Sequence, residues 1–168
     1  MKRPIEDFDV DTIRESFRPE RITTLFVGES APYSGDFFYV GNTHMLQYMR
    51  SAVEGSYLGK RSGDFLERFK ALGWYLDDLV LEPGNHLGKS ERIAKCREAQ
   101  QSLADRIAKY QPQAIVSLLL FIKPFVDAAA IKAESAALRH AVRFPGMGQQ
   151  KHFKDDMALL VPLLPRLT

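Results

Sequence analysis

The sequence predicts an α/β fold: a three-layer sandwich with a central, mainly parallel sheet of about four strands flanked by helices. Three observations predict it. Short runs of β-branched, aromatic and aliphatic residues recur at 21–27, 74–81, 112–120 and from 141, each closed by a Gly or Pro loop or by polar residues. Segments with apolar residues at three- and four-residue spacing separate these runs. The third run, Pro112-Gln113-Ala114-Ile115-Val116-Ser117-Leu118-Leu119-Leu120, is apolar at nearly every position, as expected of a strand covered on both faces.

Taken in order, residues 11–17 read as a short amphipathic helix stopped by Pro19 and covering an edge of the fold. The first strand, 21–27, ends at Gly28, where a side chain would clash as the backbone turns. From Thr43 the pattern is helical, with Met45, Leu46, Met49, Val53 and Tyr57 on one stripe and Asn42 or Thr43 placed to cap it. A helix starting there aims its N-terminal amides at whatever the first strand's exit loop builds. Residues 62–73 give a second helix closed by Gly73. The strand and exit loop at 74–85 follow, interrupted by Asp77-Asp78. One long helix is predicted over 90–110, with Ile93, Cys96, Leu103, Ile107 and Tyr110 in its apolar stripe, which makes Cys96 a small buried hydrophobe. After the 112–120 strand come an alanine-rich helix over 124–138, a short strand from 141 into a Pro-Gly loop, and a last helix over 151–160, ended by Pro162 and Pro165.

The 168 residues suffice for one domain, 1–168, with a sizeable core. The single cysteine excludes an internal disulfide and any four-cysteine zinc or iron–sulphur site. Residues 1–7 carry acids where a signal peptide needs an apolar core, and no window reaches the length of a membrane span, so a cytoplasmic protein with no membrane association is expected. Net charge is only +2, yet Lys and Arg dominate residues 95–143, which permits a polyanion on one face.

The residues that carry chemistry lie at strand ends. Val27-Gly28-Glu29-Ser30-Ala31-Pro32-Tyr33 and the aromatic run Phe37-Phe38-Tyr39 place a glycine, a carboxylate, a proline and three rings beyond the first strand, where open α/β sheets gather their ligands. A surface turn followed by core aromatics is the plainer alternative. Asp77 and Asp78 break an apolar run, and a buried carboxylate without a partner is costly, so either one of them faces a site or both lie near the strand's end, solvated or capping a helix.

Together these loops resemble the uracil-DNA glycosylase superfamily. Gly28-Glu29-Ser30-Ala31-Pro32 with Phe37-Phe38-Tyr39-Val40-Gly41 is similar to the first motif of its iron–sulphur branch. Tyr75-Leu76-Asp77-Asp78-Leu79-Val80 with Pro83-Gly84-Asn85 is similar to that branch's middle strand and loop. Cys96 and Gln111-Pro112-Gln113-Ala114-Ile115-Val116 match its following helix and strand, and Phe144-Pro145-Gly146 falls at its final motif. The resemblance spans residues 22 to about 153 and implies base excision: a flipped base stacks on a ring, its edge is read by hydrogen bonds, and water attacks the sugar carbon. It implies Glu29 as the catalytic acid that handles water, Phe38 or Tyr39 as the stacking platform, and Asp78 as the reader of the base edge. Gly28, Ser30, Pro32, Tyr33 and Phe144 would shape the substrate site, and Pro145, Gly146 and Met147 the loop that presses on the DNA backbone or fills the vacated stack. The partner implied is single- or double-stranded DNA, or a nucleotide-like ligand, bound by a monomer without metal or organic cofactor.

Three departures bear on activity. Phe144 stands where the family's histidine steadies the leaving base, which leaves Arg143, His140 or His152 to supply that charge. Asp78 stands where asparagine is usual, and an ionised aspartate only accepts hydrogen bonds, so it favours amino-bearing edges over that of uracil. The cluster cysteines are missing. The expectations are therefore a glycosylase, a catalytically silent relative that binds nucleic acid, a nucleotide or a free base, or a protein with a purely structural or protein-interaction role.

Overall fold

The computed structural model describes residues 10–31, 37–40, 43–55, 64–84 and 86–168. Four strands, β1 (Thr24–Gly28), β2 (Trp74–Asp78), β3 (Ala114–Ser117) and β4 (Leu138–Ala141), form one all-parallel sheet in the order β2-β1-β3-β4. Every described residue of β2 and β3 and the first four of β1 are buried, as a sheet covered on both faces requires. Edge strand β4 is half exposed. Leu25, Phe26, Val27, Trp74, Tyr75, Ile115 and Val116 form the centre of the core.

Seven helices are described: α1 (Val10–Ser16), α2 (His44–Val53), α3 (Phe65–Ala71), α4 (Lys89–Glu98), α5 (Gln100–Tyr110), α6 (Lys123–Lys132) and α7 (Gln150–Leu160). The strongest helix contact is α5 on α6, while α2 packs on α7 and α3 on β2. The result is an α/β/α sandwich. Local chemistry sets the helix ends. Thr43 caps α2 by accepting from the Leu46 amide at 3.2 Å, and Asp64 caps α3 by accepting from the Leu66 amide at 2.9 Å. Gly73, at φ +78°, closes the α3 turn.

The structure revises three boundaries. The helix expected over 90–110 is two, because the chain turns at Ala99 between α4 and α5. The alanine-rich helix stops at Lys132 rather than reaching Leu138: Glu134 adopts φ +52°, and the Ser135 amide reaches back to the Ala130 carbonyl. That turn frees residues 138–141 to pair with β3 in the register Ala114↔Leu138, so β4 begins three residues before the position the sequence suggests. Helical propensity loses here to a sheet that needs a fourth strand.

Candidate functional site

Because all four strands run parallel, their carboxyl ends share one edge, and the strand order reverses direction between β1 and β3. A cavity of about 510 Å³ opens there. Each strand tip, or the loop after it, contributes wall: Gly28 to Ala31 after β1, Asp78 at the end of β2, Leu118 and Leu119 after β3, and Phe144 and Met147 after β4. Phe37 and Phe38, the start of α2 and Arg92 of α4 complete it. The lining is largely apolar with a few convergent polar groups, the usual make-up of a small-molecule site.

Pairing carries on past the formal strand ends and fixes the first two loops together. The Leu79 amide donates to the Gly28 carbonyl at 2.8 Å and the Val80 amide to the Glu29 carbonyl at 2.9 Å. Gly28 itself is not in a left-handed conformation. Its lack of a side chain matters because a Cβ there would lie 2.8 Å from Oδ1 of Asp78, its neighbour in register. The glycine makes room for a carboxylate, not for a turn.

Glu29 faces the cavity but is not free. Nε of Arg92 donates to its Oε2 at 2.8 Å and Nη2 to its Oε1 at 2.5 Å, a bidentate clamp. Arg92 also lies over the ring of Phe121, 5.0 Å from the centroid. Cys96, one turn along α4, is fully buried, and burial pushes its thiol up to about 11.

Asp78 is 5% exposed. Its Oδ2 accepts from Nη2 of Arg14, on α1, at 3.1 Å, and its backbone carbonyl accepts from Nη1 of Arg106, on α5, at 2.8 Å. Asp77 faces the other way, as strand alternation demands, and takes Nη1 of Arg106 at 2.7 Å. Arg14 sits at the outer edge of β2 and also comes within 3.4 Å of Asp77. Burial raises the Asp78 carboxyl to about 6, with Arg14 pulling it back down and Asp77 pushing it further up. The aspartates are therefore neither solvated nor orphaned, and the N-terminal helix expected to cover an edge does so by delivering a cation to them.

Among the sequence-predicted residues, Gly28, Glu29, Ser30, Phe38, Asp78 and Phe144 are on the cavity wall. Tyr39, expected as the alternative stacking ring, is not among them. Its hydroxyl donates to the Leu76 carbonyl at 2.8 Å and accepts from the Leu76 amide at 2.6 Å. Its ring stacks between Phe17 and Tyr75, so it braces the core. Pro145 and Gly146 form the turn behind Phe144 without joining the wall, and a Cβ on Gly146 would strike the Phe144 ring at 2.6 Å. Pro32 and Tyr33 lie outside the described residues.

None of the three cations suggested as substitutes for the missing histidine is among the described wall residues. Arg143 is turned onto α7, where Nε and Nη2 bind Asp156 at 3.0 and 2.7 Å and Nη1 meets Nδ1 of His152 at 3.0 Å. The basic groups on the wall are Arg92 and His44, which local sequence patterns did not single out. Among the described residues no cluster of His, Cys, Asp and Glu is arranged to hold a metal ion, and no helix is long and apolar enough to cross a membrane.

No family model matches the chain, and no curated protein matches it.

Proposed function

We propose that the chain is a DNA glycosylase-like protein of the uracil-DNA glycosylase type, which hydrolyses the N-glycosidic bond of a flipped, damaged or deaminated base in base excision repair. The observation that carries this reading is the convergence of Glu29, Phe37 and Phe38, Asp78 and Phe144 on a single cavity at the carboxyl ends of the strands. Phe38, beside Phe37, offers an apolar ring surface for one heterocycle, and Asp78 meets its polar edge. In the reaction the C1′–N bond breaks with its electron pair on the base, and a C1′–O bond forms to water. Glu29 takes the water proton, which is later delivered to the departed base. Arg92, bound to Glu29 through both carboxylate oxygens, orients that carboxylate.

The same clamp supports a second reading, a catalytically silent relative that binds a base, a nucleotide or nucleic acid. Both Glu29 oxygens already accept a hydrogen bond from Arg92, which leaves each one lone pair for a water and favours a carboxylate held in place over one free to act.

One experiment separates the readings. Oligonucleotides carrying uracil, hypoxanthine, xanthine or a 5-substituted pyrimidine are incubated with the protein, and release of free base and retained binding are both measured. Release that Glu29→Gln lowers by about a hundredfold or more supports the glycosylase. Binding without release, lost in Phe38→Ala and kept in Glu29→Gln, supports the silent binder. Neither binding nor release with any of them removes both.

A further inference from the structure

Asp78 is a buried carboxyl group on the cavity wall, and its side-chain partner comes from outside the lining. Arg14 belongs to α1, some sixty residues earlier in the chain, and does not itself line the cavity, yet it is 5% exposed and its Nη2 holds Oδ2 of Asp78. The other oxygen, Oδ1, lies beside the bare Cα of Gly28, and both residues are on the wall. A carboxylate in this position offers acceptors only, whereas a carboxylic acid also offers a donor. Its protonation state therefore decides which heterocycle edge is complementary.

We propose that Arg14 is the specificity-determining residue of this cavity: by pairing with Asp78 it keeps the recognition group an acceptor and selects bases bearing an exocyclic amino group over bases with a carbonyl there. This deepens, and rests on, the base-binding reading of the cavity. Arg14 acts through Asp78 and is a positioning residue, not a catalytic one.

The charges that bear on Asp78 come from every element around it. From α1 comes Arg14, whose Nη1 is also held by the exposed Asp11 at 3.1 Å. On β2 itself Asp77 opposes ionisation, and Arg106 of α5 offsets Asp77 and binds the Asp78 carbonyl. Across the cavity the Glu29–Arg92 pair is internally neutralised, and His44 of α2 is on the wall. Burial is the largest influence and brings Asp78 to about 6, with Arg14 the strongest group opposing it. Removing Arg14 leaves burial and Asp77 unopposed at that carboxyl except by Arg106, and Asp78 then keeps its proton to higher pH.

The test measures equilibrium binding of two single-stranded oligonucleotides that differ at one nucleotide, cytosine in one and uracil in the other. The sugar of that nucleotide carries a 2′-fluorine, which resists cleavage. The affinity ratio is followed from pH 5 to 8.5. For the native protein the cytosine probe is favoured about tenfold or more at pH 8, and the preference fades as pH falls through about 6. In Arg14→Gln the midpoint of that fading moves up by about one to three pH units, and Arg14→Lys brings it back toward the native value. Asp78→Asn gives a ratio that does not change with pH, which keeps the proposal testable if Arg14→Gln folds poorly. A merely structural role for Arg14 lowers both affinities and leaves the midpoint where it was, and that result overturns the proposal, as does a pH-independent ratio in the native protein. If neither oligonucleotide binds at any pH, the base-binding reading falls, and this inference with it.

Discussion

The molecule contains the same residue pair, arginine with aspartate, at both ends of its sheet, and the two behave oppositely. At the β2 edge Arg14 holds Asp78 through one contact of 3.1 Å with both side chains buried, and the carboxyl is raised to about 6. Beyond β4, Arg143 holds Asp156 at 2.7 and 3.0 Å in a more open setting, and the carboxyl is lowered, first by that side-chain hydrogen bond. Desolvation outweighs attraction in the first pair and attraction outweighs desolvation in the second. The sign of the shift separates a carboxylate kept at a cavity against its hydration from one that staples a loop to a helix. Only the first is placed to change state near neutral pH.

The largest expected effect comes from breaking the buried pair. Arg14→Met leaves Asp78 buried with no charge partner on its own side chain, and removing one member of such a pair typically costs about 3 to 5 kcal/mol. The cost depends on pH. The folded pKa of Asp78 lies above its ordinary 3.8, so its contribution to stability is fully present below 3.8 and lost as pH rises through about 6. Without Arg14 the folded value rises further, and the loss extends to higher pH. Urea unfolding should therefore show a larger gap between variant and native protein at pH 8 than at pH 5. An equal gap at both would mean that Arg14 stabilises by packing alone, against the Phe37 ring over which it sits 5.2 Å from the centroid.

A smaller effect tests the glycine that admits this carboxylate. Gly28→Ala puts a Cβ 2.8 Å from Asp78 Oδ1, and the carboxylate cannot swing away without leaving Arg14. Overpacking of this kind costs about 1 to 3 kcal/mol. In an Asp78→Ala background the same substitution should cost little, so a double-mutant cycle should return a coupling of roughly 0.5 to 3 kcal/mol. Additivity would place the strain elsewhere.

These two residues also show what was legible in the sequence. The end of β1 at Gly28 was readable because an apolar run stops there, and so was the oddity of Asp77-Asp78 inside a second apolar run. The four-stranded parallel sheet followed from the alternation of apolar runs with helical stretches, and it is what the chain forms. The reason for the glycine was not readable, because it depends on the β1–β2 register that sets Gly28 beside Asp78. Nor was the identity of the partners: Arg14 and Arg106 reach the aspartates from two different helices, and nothing local to either helix marks them. Arg92 was missed for the same reason. Tyr39 illustrates the converse. Three consecutive aromatics look alike in sequence, yet only backbone geometry decides that Phe37 and Phe38 face the cavity while Tyr39 turns its hydroxyl to the main chain of β2.

The smallest expected effect belongs to the exposed pair, and its pH dependence should run the other way. Asp156 also accepts from the Arg143 backbone amide at 2.9 Å, so it anchors the segment that leads into Phe144. Asp156→Asn keeps an acceptor for that amide and removes the charge, so the fold and the loop should survive with a small drop in Tm at pH 7. A carboxylate with a lowered folded pKa contributes stability above its unfolded value of 3.8 and loses it as pH falls through the folded value. Native and variant melting curves should therefore converge on strong acidification, and 1 M salt should narrow the gap at pH 7 by screening. Arg14→Met should respond weakly to the same salt, since ions do not reach a buried pair. If salt closed both gaps alike, the distinction between a buried cavity carboxylate and a more open staple would fail, because both pairs would then be sensing solvent to the same degree.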